Sequence, residues 1–412
     1  MFKSIKAVLC VALSAAFALT GCNGGNSQKS ESSETSSASS SSSDGKTQTS
    51  QAETVPTEPV PATPDSREPV DDENITYNSY EIKKNLDEIE ATLDELLEDN
   101  GYNGVVYVKF GNDFEKTRAF GSANMGAHIR NSIHTKMYVG ELTQFVTALA
   151  VMKLVEDNNL NLQTTIDKYF PKCPYAKDVT IEQLLTMKSA IPDYVVSEDG
   201  KLKTLVPQLE KLVSEENGAE KNKQAVLNWI LSQPRETSHG ISFDFSNSNY
   251  FLLGEIIAKE SKTSYEDYVS QHIFTPLHMT KSCFVSDENT SIPYTGTEQS
   301  AKLLCGGVGY SSLGMITNVS NLLELIDGLM TNSIISEATF KKLFTDYGGG
   351  YGYGVYVSGI RATGIGGIDA FSAKMSFTTN NNQIYVALSN DSESNPDKIH
   401  TLFRDYLMKF RN

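Results

Sequence analysis

Tryptophan, histidine and cysteine are all scarce in this chain, with one Trp, six His and five Cys in 412 residues. No His-x-x-His or Cys-x-x-Cys spacing occurs, so a metal site has no support, and no cofactor is expected. No apolar run reaches the roughly 20 residues that a membrane-spanning helix needs. Positive charge is also in short supply: 35 Lys and Arg stand against 51 Asp and Glu, a formal charge of −16. With no basic stripe to offset it, that balance excludes a nucleic-acid partner.

What is present begins with an export signal. Lys3 and Lys6 precede an apolar run from Ala7 to Leu19, which ends in Leu19-Thr20-Gly21-Cys22. The tetrapeptide resembles a bacterial lipobox, which implies that residues 1–21 are removed and that Cys22 carries lipid. Several acyl chains on one residue would anchor the protein stably, placing it outside the cytoplasm on a bacterial membrane. From Cys22 to residue 76 the chain is dominated by Ser, with Thr, Gln, Glu and Pro and few large apolar side chains, so it reads as a disordered tether. About fifty such residues span roughly 40 Å root-mean-square. The folded domain is expected over residues 77–412, where Cys173, Cys283 and Cys305 allow one disulfide at most and none is expected.

Periodicity within that domain indicates mixed α and β structure. "YEIKKNLDEIEATLDELLEDNG" places Ile82, Leu86, Ile89 and Leu93 on one helical face, with Gly101 as a stop. "NGVVYVKF" and "KTRAFG" read as a strand pair, and "AFSAKMSFTTNNNQIYVALSND" as two strands around an Asn-rich turn. "GELTQFVTALAVMKLV" is apolar on nearly every side and should be a buried helix. Helical segments are expected near Leu205 to Ser232, with Trp229 in the core, over "NYFLLGEIIAKES" and "NVSNLLELIDGLM", and from Asp397 to Phe410. An antiparallel sheet flanked by N- and C-terminal helices, with an all-helical lobe, makes an α+β fold.

Several fragments carry a specific resemblance. Leu184 to Tyr194 reads L-L-T-x-x-S-x-I-P-D-Y, Phe245 to Gly254 reads F-S-N-x-x-Y-x-L-L-G, and Ile273 to Met279 reads I-F-x-P-L-x-M. Tyr-Gly-Tyr-Gly follows at Tyr351 to Gly354, then a Gly-rich strand start at Gly364 to Phe371. In this order they resemble the class C β-lactamase and D-alanyl-D-alanine-carboxypeptidase-like serine hydrolases, which implies a β-lactamase/transpeptidase-like fold. In such enzymes a serine one helical turn before a lysine attacks a carbonyl carbon, a tyrosine helps to move the proton, and a His or Lys on an edge strand polarises the substrate.

Here the matching positions carry Glu141 for the serine, Gln144 for the lysine, Phe245 for the tyrosine and Ile365 for the edge-strand cation, while Asn247 is kept. Met187 and Ala190 stand where a His and a Gly are usual. A carboxylate that attacked an amide would form a high-energy anhydride, and Gln144 cannot take a proton near neutral pH. Loss of one essential member of a serine-hydrolase centre costs about six orders of magnitude in turnover. The one Ser-x-x-Lys, Ser43 to Lys46, lies in the tether, and no G-x-S-x-G elbow occurs.

No catalytic residue is therefore assigned, and the expected role is that of a binding or interaction module. Its degenerate cleft, lined by Glu141, Gln144, Phe245, Asn247 and Ile365, would hold a peptide or small molecule, a cationic or amide ligand rather than an anion. Glu141 reads equally as a plain helix-capping carboxylate. In the interaction reading, a cell-envelope protein binds the charged region from about Lys201 to Glu236. The alternative is a serine hydrolase or esterase-type enzyme with relocated residues, Glu141 acting as base with Asp369 as a partner. Tyr347, Tyr351, Tyr353 and Tyr356 read as packed rings.

Overall fold

A computed structural model describes residues 77–198, 202–235, 242–299 and 304–411. The signal segment, Cys22 and the tether lie outside the described residues. The first helical stretch is two pieces, α1 (Ser79–Lys84) and α2 (Leu86–Asp99), divided at Asn85. Asn78 caps the first piece, its side chain accepting the N–H groups of Tyr80 and Glu81. Strands β1 (Gly104–Phe110) and β2 (Phe114–Phe120) form the expected pair, Val106 opposite Arg118. Next come α3 (Leu142–Glu156), α4 (Ala219–Ser232), α5 (Asn247–Ser261) and α6 (Val319–Met330). The chain closes with β3 (Tyr356–Ser358), β4 (Arg361–Ile368), β5 (Phe371–Thr378), β6 (Gln383–Ser389) and α7 (Pro396–Leu407). A short 3-10 turn, Met408–Phe410, completes the last helix.

These strands make one six-stranded antiparallel sheet in the order β3-β4-β5-β6-β1-β2. Alternation along each strand divides two cores. Val106 and Val108 of β1, with Tyr385 and Ala387 of β6, meet Ile89, Leu93 and Leu97 of α2 and Ile399, Phe403 and Leu407 of α7. On the other face Val105, Tyr107, Val386 and Leu388 join the larger core around α3. That helix has no polar side; Phe145, Val146, Leu149 and Met152 are buried all round it, as its sequence required.

The lobe beyond α3 is not wholly helical. Val195–Glu198 and Leu202–Leu205 pair as an antiparallel hairpin that sequence periodicity had not indicated. Trp229 is half buried and packs against the core rather than within it. Cys173, Cys283 and Cys305 are free thiols. Among the described residues no helix is long and apolar enough to cross a membrane, and no cluster of His, Cys, Asp and Glu is arranged to hold a metal.

Candidate functional site

The mouth of α3 lies against the open edge of β4. Contact there is close enough to require glycine: a Cβ on Gly366 would sit 2.0 Å from the Val139 carbonyl oxygen and 2.8 Å from the Glu141 nitrogen. Gly140, with φ +52°, turns the chain into the helix, and a Cβ there would lie 2.4 Å from the Gly367 nitrogen. Glycines on both sides thus bring a strand N–H to a helix N-terminus, a pair of features suited to stabilising negative charge.

That position is taken by the chain itself. Glu141 is 7 % exposed, and its Oε2 accepts the Gly367 N–H at 3.0 Å. Glu141 makes no side-chain capping bond to its own helix, which corrects the capping expectation. Its carboxylate reaches across to the strand because Gly366 lets the strand come so near.

One turn on, Gln144 is 1 % exposed and uses both ends of its amide. Nε2 donates to Asn247 Oδ1 at 2.9 Å and to Ser312 Oγ at 3.3 Å, while Oε1 accepts the Tyr351 hydroxyl at 3.2 Å. Ser312 Oγ also donates to Asn247 Oδ1, at 3.1 Å. Asn247, at the start of α5, passes the network to Asp193 by donating from Nδ2 to Oδ2 at 2.9 Å. Asp193 Oδ1 accepts the Val195 N–H at 3.1 Å. Burial raises the Asp193 carboxyl to about 7, with the nearby negative charge of Glu141 as a lesser contribution. Burial together with that charge also pushes the Tyr356 hydroxyl up to about 12.

The structure therefore brings together Glu141, Gln144 and Asn247, with Phe245 half buried against the main core two residues before Asn247. Ile365 does not belong with them. Its cross-strand partner is Lys374, which pairs with Asp397 of α7, so both side chains turn to the far face of the sheet. The positions facing α3 are Gly364 and Gly366, opposite Met375 and Ala373 of the main core. A motif in sequence does not say which strand face each residue occupies, and a one-residue offset exchanges them. The conclusion drawn from Ile365 survives the correction, since glycine offers the site no polar side chain either.

Asp369, the other carboxylate suggested from sequence, accepts the Leu304 N–H through Oδ2 at 2.9 Å. The carboxyl group on which Glu141 acts is Asp193, which sequence reasoning passed over although it lies in the recognised I-P-D-Y fragment. Ser312 and Tyr351 were also missed as site residues. Tyr351 packs at 5.3 Å from Phe243 and 5.1 Å from Tyr356, ring centre to ring centre, so the aromatic packing expected of this stretch is present. Its hydroxyl has a further role in the network.

An antiparallel sheet with helices on both faces, a buried helix whose mouth meets a glycine edge strand, and an Asn-bearing helix beside it define a serine β-lactamase-like domain. Residues 89–406 match the Beta-lactamase family, and the chain belongs to it. It is 25% identical over 310 residues to Bacillus subtilis PbpX, which carries a penicillin-binding-protein name, covering 72% of this chain and 73% of that one. Protein flp of Staphylococcus aureus is 31% identical over 192 residues, which is 45% of this chain but 35% of its own length. Among solved structures, a penicillin-binding protein from Bacillus halodurans superposes with a TM-score of 0.66 at 23% identity, over 76% of this chain and 98% of that one. FmtA from Staphylococcus aureus superposes with a TM-score of 0.65 at 18% identity, over 82% and 92%.

Proposed function

We propose that this protein is a lipid-anchored, extracytoplasmic member of the β-lactamase family that performs no acyl transfer and serves as a binding or interaction module. The observation that carries the reading is the Glu141 carboxylate on the Gly367 N–H, because it sets a fixed negative charge where a reacting carbonyl oxygen would need a free donor. Gln144 adds to it: a residue that stays neutral, with both amide ends bonded, supplies no base. A carboxylate ligand would meet Glu141, and an amide or a cation would not be repelled.

The test is covalent labelling with a fluorescent penicillin and a fluorophosphonate, read on a denaturing gel. Beside the wild type runs a Glu141→Ser, Gln144→Lys, Phe245→Tyr variant. The wild type is expected to stay unlabelled while folded. A labelled wild type overturns the proposal, and mapping the adduct would name the nucleophile, with Ser312 the first serine to inspect.

A second reading, a hydrolase with relocated residues, draws on Asp193, a carboxyl group poised near neutrality beside Glu141. It requires ester turnover by the wild type that Asp193→Asn abolishes.

A further inference from the structure

The strand segment that leads into α3 sets an amine beside a thiol. Met137–Tyr138 pairs antiparallel with Ile316–Thr317, and Cys283 bridges to Ile316 through two backbone bonds of 2.9 and 2.8 Å. Paired residues share a face and alternate residues return to it. Lys136 therefore comes up on the side of Tyr138 and Cys283, while Met137 turns into the core. The Lys136 carbonyl is held as well, accepting the Ser291 N–H and the Ser291 hydroxyl, both at 2.9 Å. Both backbones are thus fixed by bonds that do not involve the two side chains.

Those side chains meet. Lys136, its side chain 7 % exposed, donates from Nζ to Asp287 Oδ2 at 2.6 Å and also points at Cys283 Sγ, 3.9 Å away. The sulfur is open to this approach, since its own S–H is given to the Val285 carbonyl at 3.3 Å. Cys283 is half buried in a loop whose Val285 is 77 % exposed, so the sulfur is within reach of a small solute. Burial opposes the Cys283 thiolate, and the charge of Lys136 favours it.

We propose that Lys136 and Cys283 form a modification site, joined through a sulfur–nitrogen bond when a peroxide oxidises the thiol. The thiolate attacks one peroxide oxygen and the O–O bond breaks; sulfur loses two electrons to become a sulfenic acid, and hydroxide leaves. Nζ then attacks the sulfur, so that an S–N bond forms as the S–O bond breaks. The ammonium gives up two protons, the first by way of Asp287, and they complete two water molecules. Thiolate, ammonium and one peroxide yield one sulfenamide and two waters, with charge conserved. Bringing Nζ to bonding distance needs movement only of the flexible four-carbon lysine stem. The link ties the Val285 loop to the strand that runs through Gly140 into Glu141, and so stiffens the approach to the candidate site. That oxidants reach the domain rests on the extracytoplasmic location proposed above; the reaction itself does not.

The experiment treats the whole folded protein with hydrogen peroxide, blocks the remaining thiols, digests with trypsin without reductant and reads the peptides by mass spectrometry. The expected product is a peptide pair joining Lys136 to Cys283, lighter by two hydrogens than the sum of its parts. Cleavage after Lys136 should be lost with it, and dithiothreitol should restore both peptides. Lys136→Arg keeps a cation on Asp287 but no nucleophilic amine, so it should abolish the link and let Cys283 run on to sulfinic acid. Wild-type Cys283 that goes to sulfinic acid or to a disulfide without forming the pair would overturn the proposal. So would a Cys283 that peroxide leaves untouched, or a link made to another amine.

Discussion

Asp193 supplies the most quantitative test of the candidate site. Its carboxyl ionises at about 7 in the fold, against an ordinary value of 3.8, with burial as the main cause. Between those values the folded protein holds a proton that the unfolded chain has lost. Stability therefore falls as pH rises from about 4 to about 7, and the loss is complete above that. At 1.36 kcal/mol per pH unit the full cost is up to about 4 kcal/mol, of which about 3 kcal/mol develops between pH 5 and pH 8. Asp193→Asn removes the ionisation while keeping one oxygen to accept from Val195 or Asn247, at a cost of about 1 kcal/mol for the bond lost. Urea unfolding of both proteins across this range gives the difference between them, in which the other titrating groups cancel. The variant should be about as stable as wild type at pH 5 and clearly more stable, by about 3 kcal/mol, at pH 8. Parallel curves, with a difference that does not change over the range, would refute the argument that Asp193 is held uncharged by its burial.

Further outcomes follow from single positions. Ala190 has φ +55°, a left-handed backbone at a place where glycine would be unstrained, so Ala190→Gly should raise the unfolding free energy by about 1 kcal/mol. Gly366→Ala puts a methyl group onto the Val139 carbonyl and should cost about 2–3 kcal/mol by parting β4 from α3. Phe145→Ala, in the middle of the fully buried helix, should cost about 3–5 kcal/mol in the same denaturant assay. Cys22→Ala should abolish metabolic labelling with a fatty acid and release the protein from the membrane fraction; retention of both would refute the anchoring proposed for Cys22.

Much of the fold was legible in the sequence because its elements are strongly periodic. The α3 stretch is apolar all round, and the Asn-rich break between β5 and β6 admits few conformations other than a hairpin turn. The Val195–Leu205 hairpin escaped because its strands are four residues each and mix charged with apolar side chains, too short for a period to show. The site was legible in its departures, Glu141 and Gln144, since those occupy recognisable places in a motif. It was illegible in its partners. Tyr351 meets Gln144 across 207 positions of sequence and Ser312 meets it across 168, and no local pattern reports such contacts. Ile365 was misplaced for a related reason: the face that a strand residue presents depends on pairing, which only the register with β5 reveals.

The partners also bear on whether the site decayed or was rebuilt. Decay of a lysine-centred site would leave groups that once faced an ammonium without bonds, and buried groups of that kind are destabilising. Around Gln144 the reverse holds, with Nε2 on Asn247 and Ser312 and Oε1 taking the Tyr351 hydroxyl, so donors and acceptors match. Glu141 likewise gives the Gly367 N–H an acceptor inside the chain. Returning Lys at position 144 would offer donors only, leaving the Tyr351 hydroxyl to find another acceptor, and Ser at 141 would leave the Gly367 N–H to water. Each of the two substituted side chains is matched to the groups around it, and restoring the family residue at either position alone leaves those groups to find other partners.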